Sequence, residues 1–242
     1  MESLIKHYNQ LWQDERIPPY VTSLFPLLKF LDLKENSKIL DVACGNGVIG
    51  KFLIKEYKCR LWGTDISDVA LKKAENAGYT TELINLDRDA MPFPGDTFDL
   101  VILSAMLEHV LEPEKIIQMS YEKLNPGGHL IVLTPNIIWL FNRILFLMGR
   151  WDHRLMGGMK GHISYRNKKQ LKRMLEEAGF FNLNWDFSVF CVAGNSDFCK
   201  KGLSGWLIQK FHNLRVKFWH SLLAFNYIIL AQKLGNRHKQ DR

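Results

Sequence analysis

Cysteine is scarce in this chain, and none of it is paired in sequence. Only four of the 242 residues are cysteines, at Cys44, Cys59, Cys191 and Cys199, and no two have the C-x-x-C spacing of a zinc or redox pair. No histidine cluster completes a metal set. Neither a disulfide framework nor a metal site is therefore expected, and a reducing compartment fits. Long apolar runs are also missing. The two most apolar stretches, Ile137 to Met148 and Phe218 to Leu230, contain Arg143 and His220 and fall short of the roughly 20 residues that cross a bilayer. The start of the chain mixes Glu2, Lys6, His7, Asn9 and Gln10 with its apolar residues, so it has no secretory core and a cytoplasmic location is expected. Repeats and low-complexity tracts are absent, which argues against solenoid and disordered architectures.

What is present is an ordinary globular composition, 47% hydrophobic and 24% charged, in a length suited to one α/β domain with elaborations. Its net charge of +7 conceals a division. Residues 1–128 hold 14 Lys and Arg against 19 Asp and Glu, a balance of −5, whereas residues 129–242 hold 18 against 6, a balance of +12. An acidic front half suits a cationic ligand. A basic, aromatic back half suits an anionic acceptor, a membrane surface or nucleic acid.

Strand-like and helix-like periods alternate from about Ser37 to Phe190, which predicts a mostly parallel sheet with helices on both faces. Strands are expected at residues 38–43, 59–65, 80–85, 98–104 and 129–134, with helices at 48–57, 68–77, 113–124 and 168–178. Two late strands are expected at 181–190 and 226–232. The fold class is thus α/β, a Rossmann-like doubly wound sheet of seven strands with the last antiparallel. The whole chain, residues 1–242, reads as a single domain with an N-terminal helical cap at 1–33, a lid-like insertion at 136–165 and a basic aromatic insertion at 195–224. Insertions of that length in a compact domain usually serve function.

The sharpest motif is Asp41-Val42-Ala43-Cys44-Gly45-Asn46-Gly47-Val48-Ile49-Gly50, where the first strand hands over to a helix. Its Gly45-x-Gly47-x-x-Gly50 spacing also matches a dinucleotide fingerprint, but Asp41 would set a carboxylate beside the pyrophosphate that such a site must hold. A carboxylate there suits a ligand with an ammonium and a sulfonium. Asp65 ends the second strand, where it can bond ribose hydroxyls, and Asp87 follows the third. With GTDIS, LDRDAMPFPGDTFDLVI, SAMLEHV and LNPGG, this pattern resembles the class I methyltransferases that use S-adenosylmethionine (SAM), within the small-molecule group that includes quinone-biosynthesis enzymes. The resemblance covers residues 37–134. It implies that Asp41 with Ala43, Cys44, Gly45 and Gly47 holds the methionine part of SAM. It further implies that Asp65 with Ile66 holds the ribose, that Asp87 with the backbone of Arg88 holds the adenine, and that Ser104 and Ala105 line the floor. Ala43 departs from the glycine of many relatives, and its methyl group is tolerable if the strand has not yet turned into an unusual backbone region.

Methyl transfer is an in-line displacement in which alignment does most of the work. A hydroxyl acceptor gains from a general base, and His109, just beyond the fourth strand, is the first candidate. His162, before the helix at 168–178, is the second; His153 is a weaker one. Glu108 either orients His109 or is solvated. Tyr8 and Trp12 are expected to close the pocket from one side. Trp139 and Arg143 are expected to shape, with His162, a pocket for a small-molecule or lipid-like acceptor, and the same insertion has the makings of a peripheral membrane contact. O-methylation is favoured. Three alternatives stay open: an RNA methyltransferase, a catalytically silent SAM-binding partner protein and a nicotinamide dehydrogenase. Nucleic acid is disfavoured because Ile17-Pro18-Pro19-Tyr20 lacks the hydrogen-bonding side chain of an amino-group DNA methyltransferase box, and no cysteine follows strand four or five. No motif specifies the acceptor or an oligomeric state.

Overall fold

The computed structural model describes residues 2–12, 24–28, 31–150, 162–188 and 220–235. Seven strands form one sheet: β1 (Lys38–Val42), β2 (Arg60–Asp65), β3 (Tyr79–Leu83), β4 (Phe98–Ser104), β5 (Leu124–Pro135), β6 (Phe180–Ser188) and β7 (Asn226–Lys233). Among the described residues eight α-helices accompany them: α1 (Glu2–Leu11), α2 (Phe25–Leu28), α3 (Val48–Tyr57), α4 (Asp68–Asn76), α5 (Pro113–Lys123), α6 (Leu140–Leu147), α7 (Lys168–Glu177) and α8 (His220–Leu223). The sheet order is β3-β2-β1-β4-β5-β7-β6. β1 to β5 run parallel, and β7 is antiparallel to both β5 and β6. None of the described helices is long and apolar enough to cross a membrane.

The apolar residues of the central strands sort by alternation into two cores. Leu40, Val42, Val101 and Leu103 face Ile116, Ile117, Leu171 and Leu175 of α5 and α7. Ile39, Leu100, Ile102 and Ile131 face Ile49, Leu53 and Leu71 of α3 and α4. A strand buried on both sides reads as a nearly continuous apolar run, which is why FDLVILS lacks the polar alternation of a surface strand. Truncating one of these leucines to alanine costs about 2 to 5 kcal/mol through lost burial and the cavity left behind.

Local chemistry sets the helix ends. Ser67 caps α4 by accepting from the Ala70 amide, with Asp68 in the first turn, and Asn167 and Gln170 close a reciprocal capping box on α7; both satisfy amides that have no partner within the helix. Pro113 opens α5, where its missing N–H is harmless. Most boundaries fall within two residues of the sequence expectation, and the starts of β5 and β3 depart from it for physical reasons. β5 begins at Leu124 rather than at His129, because Leu124 already pairs with Phe98 across a local irregularity in the ladder, so the LNPGG turn belongs to the strand. β3 begins at Tyr79, which is buried. Of the basic aromatic insertion, whose residues 198–223 read as helical, 220–223 form α8, and residues 195–219 lie outside the described residues, as do 13–23, with the IPPY stretch, and His153.

The strand order reverses direction between β1 and β4. In such sheets the crevice beyond the carboxyl ends of those two strands is where ligands sit, and the residues singled out above lie there.

Candidate active site

β1 ends in a loop of unusual backbone. Ala43, Gly45 and Gly47 all have positive φ, at 57°, 54° and 72°. Glycine takes this region freely, whereas an alanine methyl crowds the backbone there. The condition stated for Ala43 is therefore not met: the chain has already turned, and the loop carries strain at that position. The loop is held from β2. The Cys44 amide donates to the Thr64 carbonyl at 2.8 Å, and the Gly45 amide donates to Asp65 Oδ2 at 2.9 Å. Asp65 Oδ1 accepts from the Ser67 amide at 2.9 Å, so one carboxylate ties the loop to the start of α4. Cys44 is buried, and burial pushes its thiol well above the usual range, which makes it a packing residue.

Asp41 and Asp65 are buried, at 1% and 6% exposure. Burial raises the Asp41 carboxyl to about 7, with the Tyr79 hydrogen bond opposing and the Asp65 charge adding to the rise. Burial likewise raises Asp65 to about 6, against the backbone amides of Ser67, Gly45 and Ile66. Tyr79 donates to Asp41 Oδ2 at 2.8 Å, while Asp41 Oδ1 is buried with no hydrogen-bond partner. Two desolvated carboxyls, one of them raised further by the charge of the other, make a site short of positive charge. That is the property a sulfonium and an ammonium would supply, so these residues fit SAM. Tyr79 carries no sequence signal for this role, because its use depends on the neighbouring strand.

Asp87 is half-buried in the turn after β3, and its Oδ1 accepts from the Leu111 amide at 2.9 Å. It thereby links that turn to the segment beyond β4. The Arg88 amide donates to the Asn85 carbonyl at 3.0 Å within the turn. At the tip of β4, Ser104 Oγ is buried with no hydrogen-bond partner, and Ala105 has φ 52° with its amide on the Leu133 carbonyl at 2.8 Å.

Beyond Ala105 a short 3-10 turn, Leu107–His109, presents the second cluster. Glu108 is buried at 2% exposure, not solvated, and accepts from the Thr134 hydroxyl at 3.2 Å. Burial raises its carboxyl to about 8, so it is protonated and neutral below that pH. Its backbone carbonyl accepts from the amides of Ile163 at 2.8 Å and Ser164 at 3.1 Å. This pairing brings His162 to His109, their rings edge to face with centroids 4.6 Å apart. His162 is lowered to about 4 by burial and by the His109 charge, and its Nδ1 is buried with no hydrogen-bond partner. Ligand atoms of Glu108, His109 and His162 lie within 4.8 Å of one another, a grouping with the chemistry to hold a divalent cation. No local spacing announces it, because the third member is remote in sequence and is delivered by backbone pairing.

Helix α1 spans both clusters. The Tyr8 hydroxyl and His109 Nδ1 share a hydrogen bond of 3.1 Å. Asn9 donates to Asp68 at 2.8 Å and accepts from the Ser67 hydroxyl at 2.5 Å, and Lys73 donates to the Trp12 carbonyl at 2.7 Å. The Trp12 indole packs so closely on Gly45 that a side-chain carbon there would run into it. Burial raises the Tyr8 phenol to about 12, with further contributions from the charges of Asp65, Glu108 and Asp87. One residue therefore senses acids from the ends of β2, β3 and β4. Trp139 and Arg143 lie at the rim made by β5 and β7. The Trp139 ring meets Phe225 at 5.4 Å and Phe141 at 5.6 Å, and Arg143 is exposed, donating through Nε to the Ile138 carbonyl at 2.6 Å.

With this geometry in view, the comparisons with known proteins are informative. The family model described as a methyltransferase domain matches residues 12–184. The chain is 32% identical over 148 residues to the Arginine-hydroxylase NDUFAF5, mitochondrial, of Rattus norvegicus, covering 61% of this chain and 43% of that protein. It is 31% identical over 182 residues to the Ubiquinone/menaquinone biosynthesis C-methyltransferase UbiE of Cronobacter sakazakii, covering 63% of this chain and 70% of that one. The chain thus spans less than half the length of the first relative. Among solved structures, a SAM-dependent methyltransferase from Archaeoglobus fulgidus has the same fold, with a TM-score of 0.61 at 19% identity over 88% of this chain and 93% of that one.

Proposed function

The chain belongs to the methyltransferase-domain family, with SAM as its cofactor, and from that premise we propose that it methylates an oxygen of a small-molecule or lipid-like acceptor. The observation that carries this reading is the pairing of the two clusters along one rim: the buried carboxyls of Asp41 and Asp65 beside the Gly45 loop, and His109 with Tyr8 and His162 beyond β4.

When bound, SAM supplies an electrophilic methyl group. We assign Asp41 and the 43–47 loop to its methionine end, Asp65 with Ile66 to the ribose and Asp87 to the adenine. Ser104 and Ala105 form the floor. His109 is assigned to take the acceptor proton. For that it carries its own proton on Nδ1, donated to the Tyr8 oxygen, so that Nε2 bears the lone pair that accepts. His162, held neutral by burial, stays a hydrogen-bonding partner rather than a competing cation. Protonated Glu108 adds no charge that would draw the proton away. Helix α1 excludes water over the reacting atoms. Trp139 and Arg143 shape the acceptor side. The similarity to UbiE, named a ubiquinone/menaquinone biosynthesis C-methyltransferase, supports the lipid-like class without deciding the atom methylated.

The test is methyl-labelled SAM incubated with the protein and quinol, catechol and phospholipid-derived acceptors. Label recovered in an ether of one hydroxylated acceptor is the expected result. Label on carbon, or in added RNA, rejects O-methylation. SAM binding with no product from any acceptor class or from a total lipid extract leaves the silent-partner alternative.

A second reading is favoured by one observation. A carboxylate and two imidazoles, as in Glu108, His109 and His162, also form a ligand set for an iron that activates dioxygen, and one relative is named an arginine hydroxylase. Elemental analysis of protein purified from iron-supplemented cells tests it. Metal-free protein with methyl transfer undiminished by chelator rejects it.

A further inference from the structure

Helix α6 turns an apolar face to solvent. Leu140, Phe141, Ile144, Leu147 and Met148 are exposed at 40%, 45%, 44%, 89% and 59%. Positions i, i+4 and i+7, flanked by i+1 and i+8, are one stripe of a helix. The opposite face is anchored: Asn142 and Leu145 are buried, and Asn142 donates to the Ile137 carbonyl at 2.8 Å. Just before the helix, Asn136 donates to the Ala224 carbonyl at 2.9 Å. The helix is thus fixed to the rim of β5 and β7 with its apolar stripe outward, the reverse of what a soluble surface helix needs.

We propose that α6 is a docking element that seats the protein on an anionic lipid surface. Eight residues are about 12 Å of helix, far too short to span, so the helix lies in the interfacial plane with the stripe among the acyl chains. Charge decides between lipid and a second copy of the chain. Residues 136–150 contain Arg143 and Arg150 and no acidic residue, and both arginines are exposed. A two-fold contact through this stripe would gather the arginines of both copies with no acidic residue of the segment to offset them, which repels. Anionic headgroups complement them. The inference rests on the exposed face of α6 and not on which acceptor is methylated.

The experiment is sedimentation of the full chain with vesicles of phosphatidylcholine alone and of phosphatidylcholine mixed with phosphatidylglycerol, at low and high salt. Wild type is expected in the pellet only with phosphatidylglycerol, with binding reduced at high salt. Ile144→Glu combined with Leu147→Glu should lower vesicle binding by about tenfold or more. Arg150→Gln should lower it several-fold at low salt and little at high salt. Unchanged far-UV circular dichroism and S-adenosylhomocysteine binding show that each variant is folded; if the double glutamate variant is not, Arg150→Gln alone decides. Wild type left in the supernatant at low salt overturns the proposal. So does light scattering that shows a dimer lost in the double variant while vesicles bind neither, since that assigns the face to a second copy. Either failure leaves the methyl-transfer reading, tested on soluble acceptors, untouched.

Discussion

Asp41→Asn is the substitution that interrogates the cofactor site most directly, because its effect on stability should change with pH in a calculable way. In the folded protein the Asp41 carboxyl is raised to about 7, chiefly by burial; unfolded, it titrates near its ordinary value of about 3.9. A raised folded value means that the native state binds the proton more tightly. The resulting stability is complete below the unfolded value and is lost as pH rises through about 7. Each unit is worth about 1.4 kcal/mol, so wild type should lose about 2.7 kcal/mol between pH 5 and pH 8 through this group. Asparagine does not titrate. It keeps an acceptor for the Tyr79 hydroxyl but leaves a buried amide donor unsatisfied, at a cost of about 1 to 3 kcal/mol. The variant should therefore be the less stable protein at pH 5, and the gap should close or reverse at pH 8. Urea unfolding of both proteins at pH 5, 6, 7 and 8 measures the difference directly. A stability gap constant across that range would refute the claim that Asp41 is an uncompensated buried acid. The same titration reaches ligand binding: SAM, which carries the sulfonium charge, should lose affinity below about pH 7 more steeply than its neutral-sulfur product.

Asp65→Ala should weaken SAM binding by roughly 30- to 150-fold, equivalent to about 2 to 3 kcal/mol for a lost charged hydrogen-bonding group; calorimetry reading less than a threefold change would remove Asp65 from the site. His109→Ala should lower turnover by about 100-fold or more while SAM affinity shifts less than threefold, and an unchanged kcat on the true acceptor would make His109 structural. His162 is lowered to about 4, so the native state resists its protonation and stability falls as pH drops from about 6.5 toward 4. His162→Gln should flatten that acid limb, which thermal unfolding at stepped pH will show or deny.

How much of this was legible depended on whether the signal was local. The strands KILDV and FDLVILS could be read because apolar runs bounded by turn residues are what a doubly covered parallel sheet requires, and Asp41, Asp65 and Asp87 could be placed because each lies near or just beyond the carboxyl end of a strand. Glu108 could not. A glutamate beside a histidine looks the same in sequence whether it faces water or, as here, the Thr134 hydroxyl in the interior. The meeting of His162 with His109 was equally hidden, since it depends on two amides of the 162–164 segment closing on the Glu108 carbonyl. Ala43 misled for a different reason: alanine is a poor occupant of positive φ, so the residue type pointed to a regular strand end, and the tie of the loop to Asp65 and Thr64 overrode it.

The two clusters share a physical logic that composition does not show. Asp41, Asp65, Glu108 and His162 are each buried at a cost to their charged forms, and a chain selected for stability alone would replace them with apolar residues. At Asp41 and Asp65 the missing compensation is positive, which the cationic cofactor would bring on the assignment proposed above. His162 needs no such compensation while burial holds it neutral. Tyr8 joins the two, being bonded to His109 and raised by the charges of Asp65, Glu108 and Asp87. Neutralising Asp65 with a bound cation removes one of the charges that hold the Tyr8 proton, and that change falls on the hydrogen bond to His109. On the roles proposed above, Tyr8→Phe should separate cofactor affinity from turnover: affinity should stay within about threefold, as expected for one neutral hydrogen bond, while the pH profile of kcat with SAM shifts from that of wild type, and an unshifted profile refutes the link through Tyr8.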